Sequence, residues 1–448
     1  IASLGTKNKD HSILEFFPAN KAWQLTSLRG FRTFIKIFTG KKFIYYEPFH
    51  NGFANLGFNI TNLMHISSYD LKIEEDNLSL GLKVNVEYFT IPNDSYAALA
   101  RIVTIKNTNK KAKIIQVLDG LPQIVPFGIS NLFLKKLGRT IEAWMNIENL
   151  DKGVPFYKLD VDPTDRPEVI HIKEGNFYLG FCYDKERPKI IKPIVDPQCI
   201  FGSVTDFSYP QPFLAAKNFS YPKTEIAKNK TPCAFLLQNI KLSGNQQISF
   251  YSVIGNARSK ELLNSSIPKI IAPGYLTKKR EENRKIIEEL QSDINTLSSS
   301  KEFDLYARQT YLDNIIRGGY PVIFGSNSTS PVFYLYARKH GDLERDYNKF
   351  QLSPTYFSQG NGNYRDMNQN RRCDVWFNPN IKDENVLTFF NFLQTDGFNP
   401  LIIKGASFTL KDTADFKSVI KDLVSEGDSI KILTLLEKPF TPGETILF

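Results

Sequence analysis

Between Tyr356 and Asn380 the chain reads YFSQGNGNYRDMNQNRRCDVWFNPN, and no other stretch gathers so much polar chemistry into so few residues. Tyr364, Arg365 and Asp366 follow Gly360 and Gly362, and Gln369, Asn370, Arg371, Arg372 and Asp374 come soon after. A guanidinium donates a fork of hydrogen bonds to adjacent hydroxyls, a carboxylate accepts from the next ones, and an amide does both. Such a set suits a neutral, polyhydroxylated ligand such as a sugar, and the two glycines would let the backbone come close to it. A plainer use is open to the same residues: Arg365, Arg371 and Arg372 can pair with Asp366 and Asp374 to hold a long loop together. Neither a helical nor a strand-like apolar period runs through the stretch, so it reads as an ordered loop.

The elements that would present this loop change character along the chain. Up to about Pro273 the pattern is β. Leu78 to Tyr88 alternates apolar and polar residues with the period of a half-buried strand. The runs 97–106 and 112–118, joined by NTNKK, are expected to pair as an antiparallel hairpin. Further β-rich runs at 176–182, 234–240 and 247–254 complete the pattern of a two-sheet sandwich over residues 1–274.

Thr277 then opens a linker helix, within residues 275–300, with Ile286, Ile287, Leu290, Ile294 and Leu297 on one face and the KKREENRK charges on a solvated back. A second helix is expected from Lys301 to Arg317, capped by Ser300 and carrying Phe303, Ala307, Tyr311 and Ile315 inward. A third starts at Asp383 and ends by Gly397, and a fourth spans 412–424. Thr441, Pro442, Gly443 and Glu444 spell a helix start. So late a start, and an opening at Ile1 without a Met, lead to the expectation of a piece of a longer enzyme or one half of a split one.

The bulk numbers bound the function. A chain of 448 residues exceeds one ordinary core, and 42% hydrophobic with 13% aromatic residues is a folding composition. Four cysteines (Cys182, Cys199, Cys233 and Cys373) without a CxxC spacing, and five histidines (His11, His50, His65, His171 and His340) isolated from one another, argue against a metal site and for free thiols in a cytoplasmic, reducing setting. The net charge of +9 comes from lysines scattered among Asn, Ile and Glu rather than gathered in a stripe, which argues against nucleic acid. No apolar run approaches the roughly 20 residues of a membrane span.

NGNYRDMNQNRR resembles the YRDxxQD signature at the start of the catalytic barrel in the cellobiose phosphorylase-like glycoside phosphorylases, and its Gly/Asn-rich surroundings look most like the β-1,3-glucan phosphorylase branch. VEYFTIPNDSYAALARIVTIKNT, VLDGLPQIVPFG and RTIEAWM are similar to the N-terminal sandwich of those enzymes. The resemblance implies an antiparallel β-sandwich, a linker helix and, over residues 301–448, the first part of an (α/α)6 barrel. It implies inverting phosphorolysis of β-glucans or oligoglucosides, in which a carboxylic acid protonates the glycosidic oxygen while inorganic phosphate, the co-substrate, attacks from the other face and gives glucose 1-phosphate. No other cofactor is implied, and the complete enzyme is expected to be a homodimer.

By the same resemblance Arg365 and Asp366 bind the non-reducing sugar with Gln369 close by, and Tyr364 and Asn370 complete the expected substrate-binding set, Asn370 standing where the commoner pattern has Asp. The general acid of that family lies in a Trp-Asn-Asp motif, and none of Trp23, Trp144 or Trp376 is followed by one. The residues after Ser300 are about half of what twelve barrel helices need, so the acid and the phosphate ligands are expected beyond Phe448, on a missing C-terminal portion or a complementary subunit, and the chain alone is expected to be inactive. A non-catalytic carbohydrate-binding or assembly subunit, or a glycoside hydrolase of the same architecture, are the alternatives. Asp119 in DGLP is expected in a turn, against a role at a partner's active site; Glu142 and Trp144 as surface acid and core aromatic, against sugar contacts; and Tyr45, Tyr46 and Phe49 in the core, against a carbohydrate platform.

Overall fold

The computed structural model describes residues 2–17, 19–50, 52–325, 330–336 and 355–447; His340, Ile1 and Phe448 fall outside them. The chain divides into two compact units, Ile1–Ile287 and Glu288–Phe448.

The first unit is built from antiparallel strands. In chain order those of its two large sheets are β1 (Arg32–Thr39), β2 (Lys42–Tyr46), β3 (Ile60–Ile66), β4 (Asp70–Asn77), β5 (Leu82–Ile91), β6 (Ala97–Asn107), β7 (Lys113–Leu121), β8 (Met145–Glu148), β9 (Phe156–Leu159), β10 (Gly175–Asp184), β11 (Arg187–Ile190), β12 (Ala234–Leu242) and β13 (Gln247–Ala257). A nine-stranded sheet runs β8-β9-β10-β13-β6-β5-β4-β3 with β11 hung on β10, and a four-stranded sheet runs β12-β7-β1-β2. Ile35, Ile37, Ile115, Val117 and Leu236 of the smaller sheet share one core with Val84, Val86, Val103 and Ile105 of the larger. Alternation in β5 puts Leu82, Val84 and Val86 into that core, as its sequence period requires.

Two expectations about the strands need correcting. Strands β6 and β7 do not form a hairpin: β6 pairs with β5 and β13, whereas β7 pairs with β1 and β12. The NTNKK link crosses between the sheets, where the Asn107 amide donates to the carbonyls of Lys111 and Ser243 at 2.8 and 3.0 Å. Asp119 does not serve a turn. It lies inside β7, 1% exposed, and its carboxylate accepts from Arg101 Nη1 of β6 at 2.6 Å and from Thr33 Oγ1 of β1 at 2.6 Å. One interior ion pair thus ties the two sheets together. Burial opposes the Arg101 charge, but Asp119 outweighs it and holds the guanidinium pKa above its ordinary value. Beside Asp119, Gly120 has no room for a side chain, since a Cβ there would lie 1.8 Å from the Ala234 carbonyl oxygen of β12.

Two helices follow, α1 (Lys260–Ile270) and α2 (Tyr275–Leu290). Helix α2 falls where the linker helix was expected, but it ends at Leu290, Thr277 is inside it, and Leu297 is exposed. Its charged run is also no mere solvated back. Lys279 is buried, with Nζ 2.8 Å from Asp94 Oδ2, and Arg280 reaches Asp70 of β4 and, at 2.7 Å, Glu87 of β5. The buried face is Tyr275, Leu276, Lys279 and Asn283, a helical spacing that an apolar count misses because half of it is polar.

Tyr46 is buried and Tyr45 and Phe49 are packed against the core, as expected of core residues. Glu142 accepts from the Thr231 N–H and hydroxyl at 3.0 and 2.7 Å, and Trp144 packs on Ile141 and Met145 and their neighbours.

The second unit holds α3 (Lys301–Gly318), β14 (Tyr320–Ile323), β15 (Val332–Leu335), β16 (Gly362–Asn363), α4 (Tyr364–Arg371), α5 (Asp374–Phe377), α6 (Glu384–Asn391), β17 (Ile402–Ile403), α7 (Thr413–Ile420), α8 (Glu426–Leu436) and α9 (Pro442–Leu447). Ser300 caps α3 through a bond from Phe303 N–H, and Tyr311, Leu312, Ile315 and Gly318 form its buried face; Phe303 is exposed, contrary to expectation. Helix α6 stops at Asn391, well short of Gly397. The helix start at Thr441 is realised as a short helix, with Thr441 N–H donating to Glu444 at 2.7 Å. Among the described residues no helix is long and apolar enough to cross a membrane.

Candidate functional site

The polar stretch is helical where the sequence suggested a loop. Its buried residues, Tyr364, Met367 and Arg371, keep helical spacing, and the third of them is an arginine, so no apolar period is visible. Asn363 caps α4 by accepting from Asp366 N–H at 3.3 Å, and Asp366 places its charge in the first turn, where the helix dipole favours it. Just before the cap, Gly362 pairs with Ile403 across β16 and β17, and a Cβ on it would strike Met367 Sδ at 2.0 Å. The glycine just ahead of the helix cap is therefore required by packing.

The buried face anchors α4. Tyr364 donates to the Phe389 carbonyl of α6 at 2.8 Å, and its ring meets Phe389 edge-on at 5.3 Å. Arg371 Nε donates to the Gly318 carbonyl at 2.5 Å, and the guanidinium lies 3.7 Å above the Tyr334 ring. Burial lowers the Arg371 pKa to about 10, so the group remains a cation at neutral pH.

The opposite face opens on a cleft of about 610 Å³, lined by Asn363, Tyr364, Arg365, Asn368, Gln369 and Arg372 on one side and Asn399, Pro400 and Leu401 on the other. Arg365, Asn368, Gln369 and Arg372 stand at positions i, i+3, i+4 and i+7, which one helix face presents together. Arg365 is 71% exposed, and its guanidinium lies 3.2 Å from Asp366 Oδ1. Two guanidinia and several amides facing one space make a donor-rich wall for hydroxyl or anionic oxygens.

Of the five residues singled out from sequence, Tyr364, Arg365 and Gln369 line this cleft, and Asp366 and Asn370 do not. Asp366 borders it through Arg365, and the Asn370 side chain donates to the Asp366 carbonyl at 2.6 Å, a bond within the helix. Tyr364 has its hydroxyl committed to Phe389. Asn368 and Asn399 were missed. Helical spacing from Arg365 would have found Asn368 once the stretch was known to be a helix; nothing in the sequence points to Asn399. Among the described residues no group of three or more His, Cys, Asp and Glu is placed to hold a metal ion.

Behind the cleft, Asp374 is buried beside Arg371 and Tyr334. Burial raises its pKa to about 7, against the lowering effects of Arg371 and the Tyr334 hydroxyl. A carboxyl that holds its proton to higher pH when folded stabilises the fold most below its unfolded pKa of about 4, and that contribution is lost as pH rises to about 7. The other ionisable groups acting on this corner are Tyr311 and Glu384. Denaturant unfolding of the helical unit should therefore show stability falling between about pH 4 and pH 7, by at most about 4 kcal/mol, and Asp374→Asn should flatten that slope. An unchanged slope in the variant would assign the pH dependence elsewhere.

No protein-family model matches this chain, and neither does any curated protein. Among solved structures it is similar to one described as "Putative kojibiose phosphorylase from human microbiome", at 8% identity and a TM-score of 0.24, over 66% of this chain and 29% of that one. So faint a likeness bears no weight, and the case for a function rests on the cleft and on the YRD stretch that forms it.

Proposed function

We propose that this chain is the sandwich and early-barrel portion of an inverting glycoside phosphorylase that cleaves β-glucans or oligoglucosides with inorganic phosphate to glucose 1-phosphate. In this reading it supplies grips for the sugar and not the proton donor. The observation that carries it is the face of α4, which turns Arg365, Asn368, Gln369 and Arg372 together into one cleft.

A sugar held there would receive forked donation from Arg365 and mixed donation and acceptance from the amides, with Asp366 fixing the guanidinium from behind. The side chains of that face are cationic or neutral, so protonation of the glycosidic oxygen needs a carboxylic acid brought from other residues. Helices α3 to α9 would be the opening helices of an (α/α)6 barrel. The apolar side chains left exposed on α6, α7 and α8, among them Val386, Phe390, Val419 and Ile430, support a helical remainder that covers them, in the same polypeptide or a complementary subunit.

Calorimetric titration of the 448-residue chain with a short β-1,3-glucan, followed by incubation with phosphate, tests the reading. Saturable binding without release of glucose 1-phosphate is expected. Release of glucose 1-phosphate by this chain alone would refute the division of labour, and absence of any saccharide binding would refute the site.

A further inference from the structure

The inward face of the larger sheet borders a cavity of about 630 Å³, a size that suits a small molecule, and all its walls belong to the first unit. Cross-strand register builds one wall. Leu71 of β4, Tyr88 of β5 and Arg101 of β6 stand in one row, with Ile73 and Val86 in the next. Leu99, two residues before Arg101, shares its face of the strand. Phe31 and Phe49 add aromatic surface, and the helical turn Trp23–Leu25 stands at the mouth, where Trp23 is 71% exposed.

Two buried ion pairs hold this space open, although protein interiors ordinarily leave few voids larger than a water molecule. Arg32 and Glu47 are both buried and meet in a two-point contact at 2.6 and 2.9 Å, and Arg32 also donates to the Ser208 carbonyl at 3.1 Å. Arg101 is tied to Asp119 of the opposite sheet. Charged side chains fixed by such partners cannot fold over to fill the gap as flexible apolar ones would, so the cavity is preformed.

The polar groups left over select the ligand. The Tyr88 hydroxyl accepts from Arg101 Nε at 3.1 Å, and among the described residues its own hydrogen has no acceptor. Arg101 commits three of its five N–H hydrogens, to Tyr88, Asp119 and Thr33. Among the described residues the one carboxylate on the walls is Glu47, and it is taken up by Arg32 and by the Tyr45 hydroxyl at 3.1 Å. Spare donors without a spare carboxylate call for an oxygen on the ligand, and an anionic one is held best. The aliphatic wall of Leu71, Ile73, Val86 and Leu99 offers a sugar no hydrogen bonds and suits a hydrocarbon body instead.

We propose that this cavity binds a small apolar acid, with its carboxylate at Tyr88 and Arg101 and its hydrocarbon body along Leu71, Ile73, Val86 and Leu99. The site is additional to the cleft on α4 and does not depend on how that cleft is read. Calorimetric titration of the full chain with octanoate, and with octanol as its uncharged match, tests it. Octanoate should bind saturably, and about tenfold or more tighter than octanol. Tyr88→Phe keeps the ring and removes the donor, so it should lower the octanoate affinity about tenfold and the octanol affinity less. Ile73→Trp, which fills the space from the sheet, and Ser27→Trp, which fills it from the short helix Thr26–Arg29, should each abolish binding of both. Absence of octanoate binding, octanol binding as tight as octanoate, or octanoate binding unchanged in both filled variants would overturn the proposal. Displacement of octanoate by a short β-1,3-glucan would also overturn it and make this a saccharide site.

Discussion

Arg101→Met should unfold the β unit more readily than any other single change to a polar residue of the sandwich core, costing about 3–5 kcal/mol. Arg101 and Asp119 are 2% and 1% exposed and come from strands of opposite sheets. Removing the guanidinium leaves a carboxylate in the interior with, among the described residues, only the Thr33 side chain to donate to it, and it also removes the cation packed 4.9 Å from the Phe31 ring and the Arg101 Nε bond to the Tyr88 hydroxyl at 3.1 Å. The unpaired charge dominates that cost, so a second change that removes it should restore most of the loss. The double variant Arg101→Met, Asp119→Leu is expected to be more stable than Arg101→Met alone, by at least about 2 kcal/mol in denaturant melts. Additive losses in the two single variants would mean that the pair is not the unit of stability.

Arg365→Ala is expected to do the reverse, leaving stability alone and weakening saccharide binding. The Arg365–Asp366 pair is exposed enough to contribute only about 0–1 kcal/mol to folding. A charge-assisted donor lost from a ligand costs about 1.5–3 kcal/mol, or a fall in affinity of about 10- to 150-fold. Arg365→Lys keeps the charge but not the fork, so it should recover only part of the affinity. Titration with the same short β-1,3-glucan reads both variants, and wild-type affinity in Arg365→Ala would remove Arg365 from the site.

The β architecture was legible because alternation in runs such as Leu82 to Val86 leaves one solution for where a strand buries its face. The sheet partners were not legible. The link after Asn107 has the composition of a hairpin turn, and only packing across two sheets decides that it crosses between them. In the site, residue types spoke more clearly than local structure. Arg365 and Gln369 were conspicuous as chemistry, whereas the helix that aligns them was hidden because Arg371 occupies a core position through its stacking on Tyr334. Lys279 misled in the same way, as a charge counted for solvent that in fact pins α2 to the sandwich. Asp119 drew attention as a polar residue beside a glycine, the signature of a turn, and proved to be half of an interior ion pair.

Gly120 sets a limit on how this sequence can drift. Every other side chain would have to displace the Ala234 carbonyl of β12, the strand paired with β7, and the residue before it is held by a charge on the opposite sheet. Two neighbouring positions are thus closed to substitution for reasons unconnected with any ligand, whereas the cleft residues on α4 face open space and can change as the ligand changes.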